Sequence, residues 1–375
     1  MLVLALLLTT ASAFAALAAT RSAAPARGKK IIEMGWDEPD TRFLRRSIAR
    51  MQTAPFDGCV FHVMYRGTDG RDSNFTWRVW GRRAFTDAEL AQAREDLRVT
   101  RFGGFRHSYL RVNVTPGDVG WFDDEGFSAV VRNLRLAAAL ARVAGVPGVM
   151  LDTEQYETRL WTYARQPDAA RRSWPEYAEQ VRRRGRQAIE ALQAGYPGLT
   201  VFLTFGYSLP WHETTGGQGS LSQCANGMLA PFLDGMLDGA RGNTRFVDGY
   251  ELSYAYRDPG RFRSARVRVR ESLLTIVANP EAYRARVTVA FGIWLDHDWR
   301  THGWHAEEPE RNYFPPGLFS RVLTEALEAA DEYVWVYSET PRWWDAQGAF
   351  RQLPSTYVET VRRAQRRAHS LQRRS

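Results

Sequence analysis

The sequence predicts an α/β chain folded as a single-domain (β/α)8 (TIM) barrel, and three observations predict it. Short apolar runs recur eight times, mostly about 40–50 residues apart, with a helical or long loop segment between them. Strands joined by connections of that length must cross over and pair in parallel. No Gly-rich phosphate loop follows any of the runs, which disfavours a doubly wound open sheet. Eight βα units in 375 residues, with no internal linker or short-period repeat, match the count for one closed barrel.

The first run is 31–37, and Phe43, Leu44, Ile48 and Met51 then mark one face of a helix. The second is 59–63, followed by a long loop with Trp77 and Trp80 and a helix around 90–97. The third is 109–114, closed by Pro116 and Gly117. Phe127, Val130, Val131 and Leu134 lie at three-four spacing on the next helix, which Gly145 and Pro147 end. The stretch 148–157 supplies the fourth strand, and Pro175 opens a helix reaching about 194. The fifth run is 200–206, with a Gly/Ser/Thr-rich loop at 214–222 that suits a lid. The sixth, seventh and eighth are 246–254, 287–296 and 333–339. Phe319, Val322, Leu323, Ala326 and Leu327 make an amphipathic helix before the last strand.

Residues 1–20 differ from the rest, with an apolar run from Leu2 to Leu8 and small residues around Ala11 to Ala18. That pattern predicts a signal peptide, and hence export to the periplasm or outside the cell, with 21–29 as a short linker. Domain residues 30–375 end in an Arg-rich helix, and no run in the mature chain is long enough to span a bilayer. The formal net charge of +8 sits at the ends. Residues 21–30 carry four basic groups and no acid, and 359–375 carry six arginines against Glu359. A nearly neutral body gives no groove for tracking phosphates, so no nucleic-acid partner is expected. Two cysteines, Cys59 and Cys224, are too few for a disulfide scaffold and are expected to be free. Oligomeric state is not readable from the sequence.

A barrel of this kind builds its site from residues at the C-terminal ends of its strands. Asp152 and Glu154 stand two apart at the end of strand four, where alternation would project them together. Glu251, Asp296 and Glu339 end strands six, seven and eight, and any of them could supply a further carboxylate. Trp36, Asp37, His62, Arg111, Asn113, Tyr207, Tyr254, Trp294, Tyr337 and Trp343 collect at the same ends as candidate substrate contacts. Indole faces offer apolar area to sugar C–H faces, whereas Trp335 is expected in the core. Crowded acids raise one another's pKa, and glycoside hydrolysis needs one protonated and one charged carboxyl. Glu154 is therefore the candidate general acid/base, assisted by Asp152. Arg111 would either recognise an acidic sugar or pair with a barrel carboxylate, the second being favoured.

Over about residues 29–358 the chain resembles TIM-barrel glycoside hydrolases, including exported bacterial barrel proteins classed as glycosidases. The segments 33–39 and 57–62 carry part of that likeness. Leu151-Asp152-Thr153-Glu154 resembles the Asp-x-Glu ending of strand four in chitinase-type enzymes. There the Glu is the acid and the Asp orients the substrate or shares the proton. Met150 departs from that pattern, which has a further aspartate two before Asp152; the Asn-Glu of cellulase-type barrels is also absent, since Thr153 precedes Glu154.

Two other function classes compete. A non-catalytic carbohydrate-binding barrel would keep the tryptophans without needing the acid pair. A metal-dependent hydrolase would draw on His62, Asp37 and the strand-four acids, or on His297, His302 and His305, but no His-x-His or His-Glu-x-x-His occurs. No metal and no cofactor are expected, and no Gly-x-Ser-x-Gly elbow points to a serine hydrolase.

Overall fold

The computed structural model describes residues 28–67, 69–344 and 353–372. The expected signal peptide, linker residues 21–27 and the final arginines, Arg373 and Arg374, lie outside the described residues. Strands one to four are Lys30–Gly35, Gly58–Phe61, Tyr109–Asn113 and Gly148–Asp152. Strands five, six and eight are Thr200–Leu203, Arg245–Asp248 and Tyr333–Ser338. Strand seven comes in two pieces, Val287–Val289 and Phe291–Trp294, on either side of Ala290. Its first piece pairs with strand six and its second with strand eight, which in turn pairs with strand one, all in parallel. The neighbours therefore form a ring that is complete apart from the step at Ala290: a TIM barrel.

Alternation divides each strand between two cores. Ile32, Met34, Val60, Tyr109, Met150, Phe202, Val247, Ala290, Tyr333 and Trp335 fill the barrel interior. Trp335 is fully buried there, and its indole N–H donates to Gly249 O at 2.8 Å. Gly292 makes room for it, since a Cβ at that position would lie 2.8 Å from the indole ring. The alternate residues, such as Val149, Leu151, Val201 and Leu203, pack against the helices in a larger outer core.

The helices follow the expected apolar faces where those faces are narrow. Thr41–Met51 is capped by Asp40, whose side chain accepts the Phe43 N–H at 2.6 Å. Asp124–Ala144 ends on Gly145 in the left-handed conformation, and Trp174–Gly195 begins with a capping box formed by Ser173 and Glu176. Helix Leu229–Gly239 has no polar face: all its residues but Asp238 are buried. It packs backbone to backbone on Trp174–Gly195, for a Cβ on Gly185 or Gly235 would lie 2.0 or 1.8 Å from a carbonyl oxygen of the other helix. The Arg-rich helix Ser355–Gln372 buries Tyr357 and Val361, and its Arg367 pairs with Glu328 at 2.9 Å. No helix among the described residues is long and apolar enough to cross a membrane.

Candidate active site

Beyond the interior layer the same alternation reaches polar residues, and these surround one cavity of about 420 Å³ at the C-terminal mouth of the barrel. Nine of the residues singled out by sequence line it: Trp36, Arg111, Asp152, Glu154, Glu251, Tyr254, Trp294, Tyr337 and Glu339. Trp77, Tyr156 and Thr204 complete the polar and aromatic lining.

Asp152 is two residues beyond the interior Met150, so it points inward at the strand's end, where it is 1% exposed. Its Oδ2 accepts from Arg111 Nη2 at 2.6 Å, Asn113 Nδ2 at 2.9 Å and the Tyr156 hydroxyl at 3.1 Å. Its Oδ1 accepts from the Glu154 backbone N–H at 3.1 Å and the Thr204 hydroxyl at 3.3 Å. Every lone pair of this buried acid is thus occupied, which is what a carboxylate out of water requires. Arg111 also donates to Glu38 Oε2 at 2.9 Å, so its guanidinium is held between two carboxylates. Burial opposes charge on Glu38, but Arg111 and then His62 outweigh it and hold that carboxyl below its usual range. Of the two roles open to Arg111, the geometry shows the internal pair.

Glu154 lies past the end of the strand and comes to the cavity through the turn rather than by strand alternation. Lost hydration raises its pKa above the ordinary value; the Tyr156 hydrogen bond opposes the rise and the Asp152 charge adds to it. The Tyr156 oxygen is 2.6 Å from Glu154 Oε2 and 3.1 Å from Asp152 Oδ2. A phenol has one proton to give. Given to an ionised Glu154, that proton stabilises the charge and opposes the rise; given to Asp152, it leaves the phenol oxygen to accept from a protonated Glu154.

Glu251 opens the short turn Glu251–Ser253 after strand six. Burial, then the charges of Asp152 and Glu154, push its carboxyl well above the usual range. Glu339 has the opposite surroundings. It accepts from Trp299 Nε1 at 2.7 Å, Arg300 Nη2 at 2.6 Å and the Tyr337 hydroxyl at 3.1 Å, a donor set suited to a charged carboxylate. The cavity therefore holds two carboxyls biased toward the proton and two surrounded by donors. Tyr254 and Tyr337 stack at 5.4 Å with Trp294 edge-on beside them, forming an aromatic side to the same space.

Six singled-out residues do not line the cavity. Asp37 turns away from it and accepts the backbone N–H of Trp343 at 2.8 Å and of Trp344 at 3.3 Å, tying the strand-eight exit to strand one. Trp343 is 1% exposed and packs edge-on against Phe56 at 4.6 Å, as part of the outer core rather than a sugar platform. Asp296 accepts the N–H of Glu339 at 3.0 Å and of Thr340 at 2.7 Å; it positions Glu339 from behind. Tyr207 is buried outside the barrel wall and donates to Asp234 at 2.8 Å. Asn113 supports Asp152, and His62 lies 3.4 Å from Glu38. The loop at 214–222 contributes nothing to the cavity lining. Trp77, Tyr156 and Glu38 fall outside the residues singled out by sequence. Tyr156 has a legible signal, being two past Glu154 in the same turn, but nothing local marks Trp77.

Among the described residues no group of three or more His, Cys, Asp and Glu side chains is arranged to hold a metal ion. In the strand-seven loop His302 pairs with Asp298 at 2.9 Å, and His305 Nε2 meets the His302 carbonyl at 3.0 Å. Cys59 and Cys224 are free and buried.

No family model matches the chain, and no curated protein matches its sequence. Among solved structures it is similar to GH5_18 from Streptomyces cattleya in complex with GlcNAc, with TM-score 0.50, 12% identity, and coverage of 92% of this chain and 81% of that one. PbGH5A, a glycoside hydrolase family 5 enzyme from Prevotella bryantii B14, gives TM-score 0.47 and 8% identity over 88% of each chain. The exo-beta-1,4-mannosidase Op5Man5 from Opitutaceae bacterium strain TAV5 gives 0.49 and 13%, over 92% of this chain and 61% of that one. At 12% identity the likeness to GH5_18 is one of fold.

Proposed function

We propose that this barrel is a glycoside hydrolase acting on a poly- or oligosaccharide, with Glu154 as general acid/base and Asp152 assisting it. The observation that carries the reading is the contrast inside one cavity. Glu154 has a raised pKa and opens to the space, while Glu339, on the strand-eight side, is surrounded by cationic and N–H donors. Glycosidic cleavage needs that pairing. Glu154 gives its proton to the departing glycosidic oxygen as the bond to the anomeric carbon breaks. Glu339 supplies the negative charge that stabilises the positive charge developing at that carbon; water then bonds to the carbon and gives up a proton that replaces the one spent by the acid. Asp152, neutralised by Arg111 and relayed through Tyr156, receives hydrogen bonding from the acid side and keeps its orientation. Tyr254, Tyr337, Trp294 and Trp36 give the apolar faces that sugar rings require. On its apolar N-terminal run we further assign the chain to export, which fractionation of expressing cells would test.

The test is release of sugar from a broad glycan panel by the purified protein. Release that is lost in Glu154→Gln with glycan affinity retained is the expected result. No release and no glycan affinity would sink the reading. The aromatic lining also suits a carbohydrate-binding barrel without catalysis, and in that case wild type would bind glycan without releasing any sugar.

A further inference from the structure

Side chains from several strand exits meet around the barrel mouth. Trp77, from the loop after strand two, lies 5.0 Å from Tyr156 after strand four. On the opposite side Trp36, after strand one, meets Trp299 after strand seven at 6.3 Å. Arg300 ties that same loop to Glu339 after strand eight at 2.6 Å, and Tyr254 after strand six meets Trp294 of strand seven at 5.9 Å. The ion pairs of Arg111 with Glu38 and Asp152 join the exits of strands one, three and four. The Glu251 N–H donates to Thr204 O at 3.2 Å, joining five to six. A groove that admits the middle of a polysaccharide needs openings on two opposite sides. Here, among the described residues, aromatic contacts stand on two sides of the mouth, Trp77 with Tyr156 and Trp36 with Trp299, while Asp152 and Thr204 are buried between the strand ends.

Size agrees with shape. A hexose occupies about the volume of six waters, each with a share of roughly 30 Å³. A cavity of about 420 Å³ therefore accepts on the order of two sugar units. Trp36 stands at the rim, 55% exposed, where an indole face can meet a unit emerging from the cavity.

Building on the glycosidase reading, we propose that the site takes the end of a glycan chain: the substrate is a terminal mono- or disaccharide unit, and the protein shortens chains from one end. The chain end descends into the cavity toward Glu154, and the remainder leaves past Trp36.

The test uses end-labelled oligosaccharides, from disaccharide to hexasaccharide, of the cellulose, mannan, xylan and chitin types. With any series that is cleaved, the expected early products are a mono- or disaccharide and the chain shortened by that unit. Early appearance of internal fragments of every length would overturn the inference and leave the glycosidase reading standing. Binding of the same series to Glu154→Gln gives a readout independent of turnover. Affinity should rise up to the disaccharide or trisaccharide and then change less than about twofold per added unit. A steady climb to the hexasaccharide would also overturn it. Neither cleavage nor binding of any series would overturn the glycosidase reading itself.

Discussion

Two pairs of acids in this molecule look alike on paper and behave differently. Asp152 and Glu154 stand at the exit of strand four, and Glu33 and Asp37 at strand one. In each pair burial raises the pKa of one carboxyl, and the neighbouring acid raises it further. Glu33 is 0% exposed, on the outward side of its strand, and the charge of Asp37, whose Oδ2 accepts the N–H groups of Trp343 and Trp344, acts on it. Neither acid of that pair lines the cavity. Asp152 and Glu154 both do, with a guanidinium to balance one charge and open space before the other. A raised carboxyl pKa marks burial; access and a charge partner make it usable for proton transfer.

The largest expected effect is on the open pair's balance of charge. Arg111→Met leaves Glu38 and Asp152 without their shared cation, with Asp152 1% exposed. A loss of about 3–5 kcal/mol in chemical denaturation is expected; a loss below about 1 kcal/mol would mean the three charges are not coupled. Next, Glu339→Gln removes the charged partner of Glu154, and turnover should fall by at least about 100-fold with little change in stability. Unchanged turnover would contradict the role given to Glu339.

The pH dependence gives a smaller effect with a definite sign. Glu154 must carry its proton, so kcat/KM should fall as pH rises through its raised pKa, above the ordinary 4.5. Asp152→Asn removes a charge that raises Glu154 and should move this alkaline limb to lower pH. Tyr156→Phe removes a hydrogen bond that lowers it and should move the limb to higher pH. Shifts in the same direction for both variants would contradict the assignment. The sealed pair acts on stability alone. A folded-state acid raised above its unfolded value keeps a proton that the unfolded chain loses first. Stability should therefore decline as pH climbs from about 4.5 toward the raised value of Glu33. Glu33→Gln should flatten that decline while staying within about 1 kcal/mol of wild type at low pH. An unaltered pH–stability curve would show that Glu33 does not keep its proton.

The difference between the two pairs also explains what was legible in the sequence. All eight strands were, because apolar runs of the right spacing are buried on both faces. Their C-terminal limits were not: the runs at 31–37 and 246–254 continue past strands that end at Gly35 and Asp248, since aromatic turn residues prolong the apolar pattern. Helix Leu229–Gly239 was hidden because burial on every side removes the amphipathic period. In the site, residues still in strand register were identifiable: Arg111, Asp152 and Tyr337 follow interior residues at intervals of two. Residues in turns were identifiable only in part, because alternation stops with the strand: Trp36, Glu154, Glu251, Tyr254 and Glu339 line the cavity, whereas Asp37, Asp296 and Trp343 do not. Asp37 and Glu38 are adjacent, yet one braces the strand-eight exit and the other meets Arg111, and only the fold of the turn decides which. Trp343 and Tyr207 are indistinguishable by sequence from Trp36 and Tyr254; packing from distant elements separates them.

The most direct measurement is turnover of Glu154→Gln and Glu33→Gln side by side, on the glycan the wild type cleaves, with the fold of each checked by thermal denaturation. Turnover lost by about 100-fold or more in the first and kept in the second is the expected result. A folded Glu154→Gln that turns over normally, or a folded Glu33→Gln that loses as much, would contradict the assignment of the chemistry to the open pair.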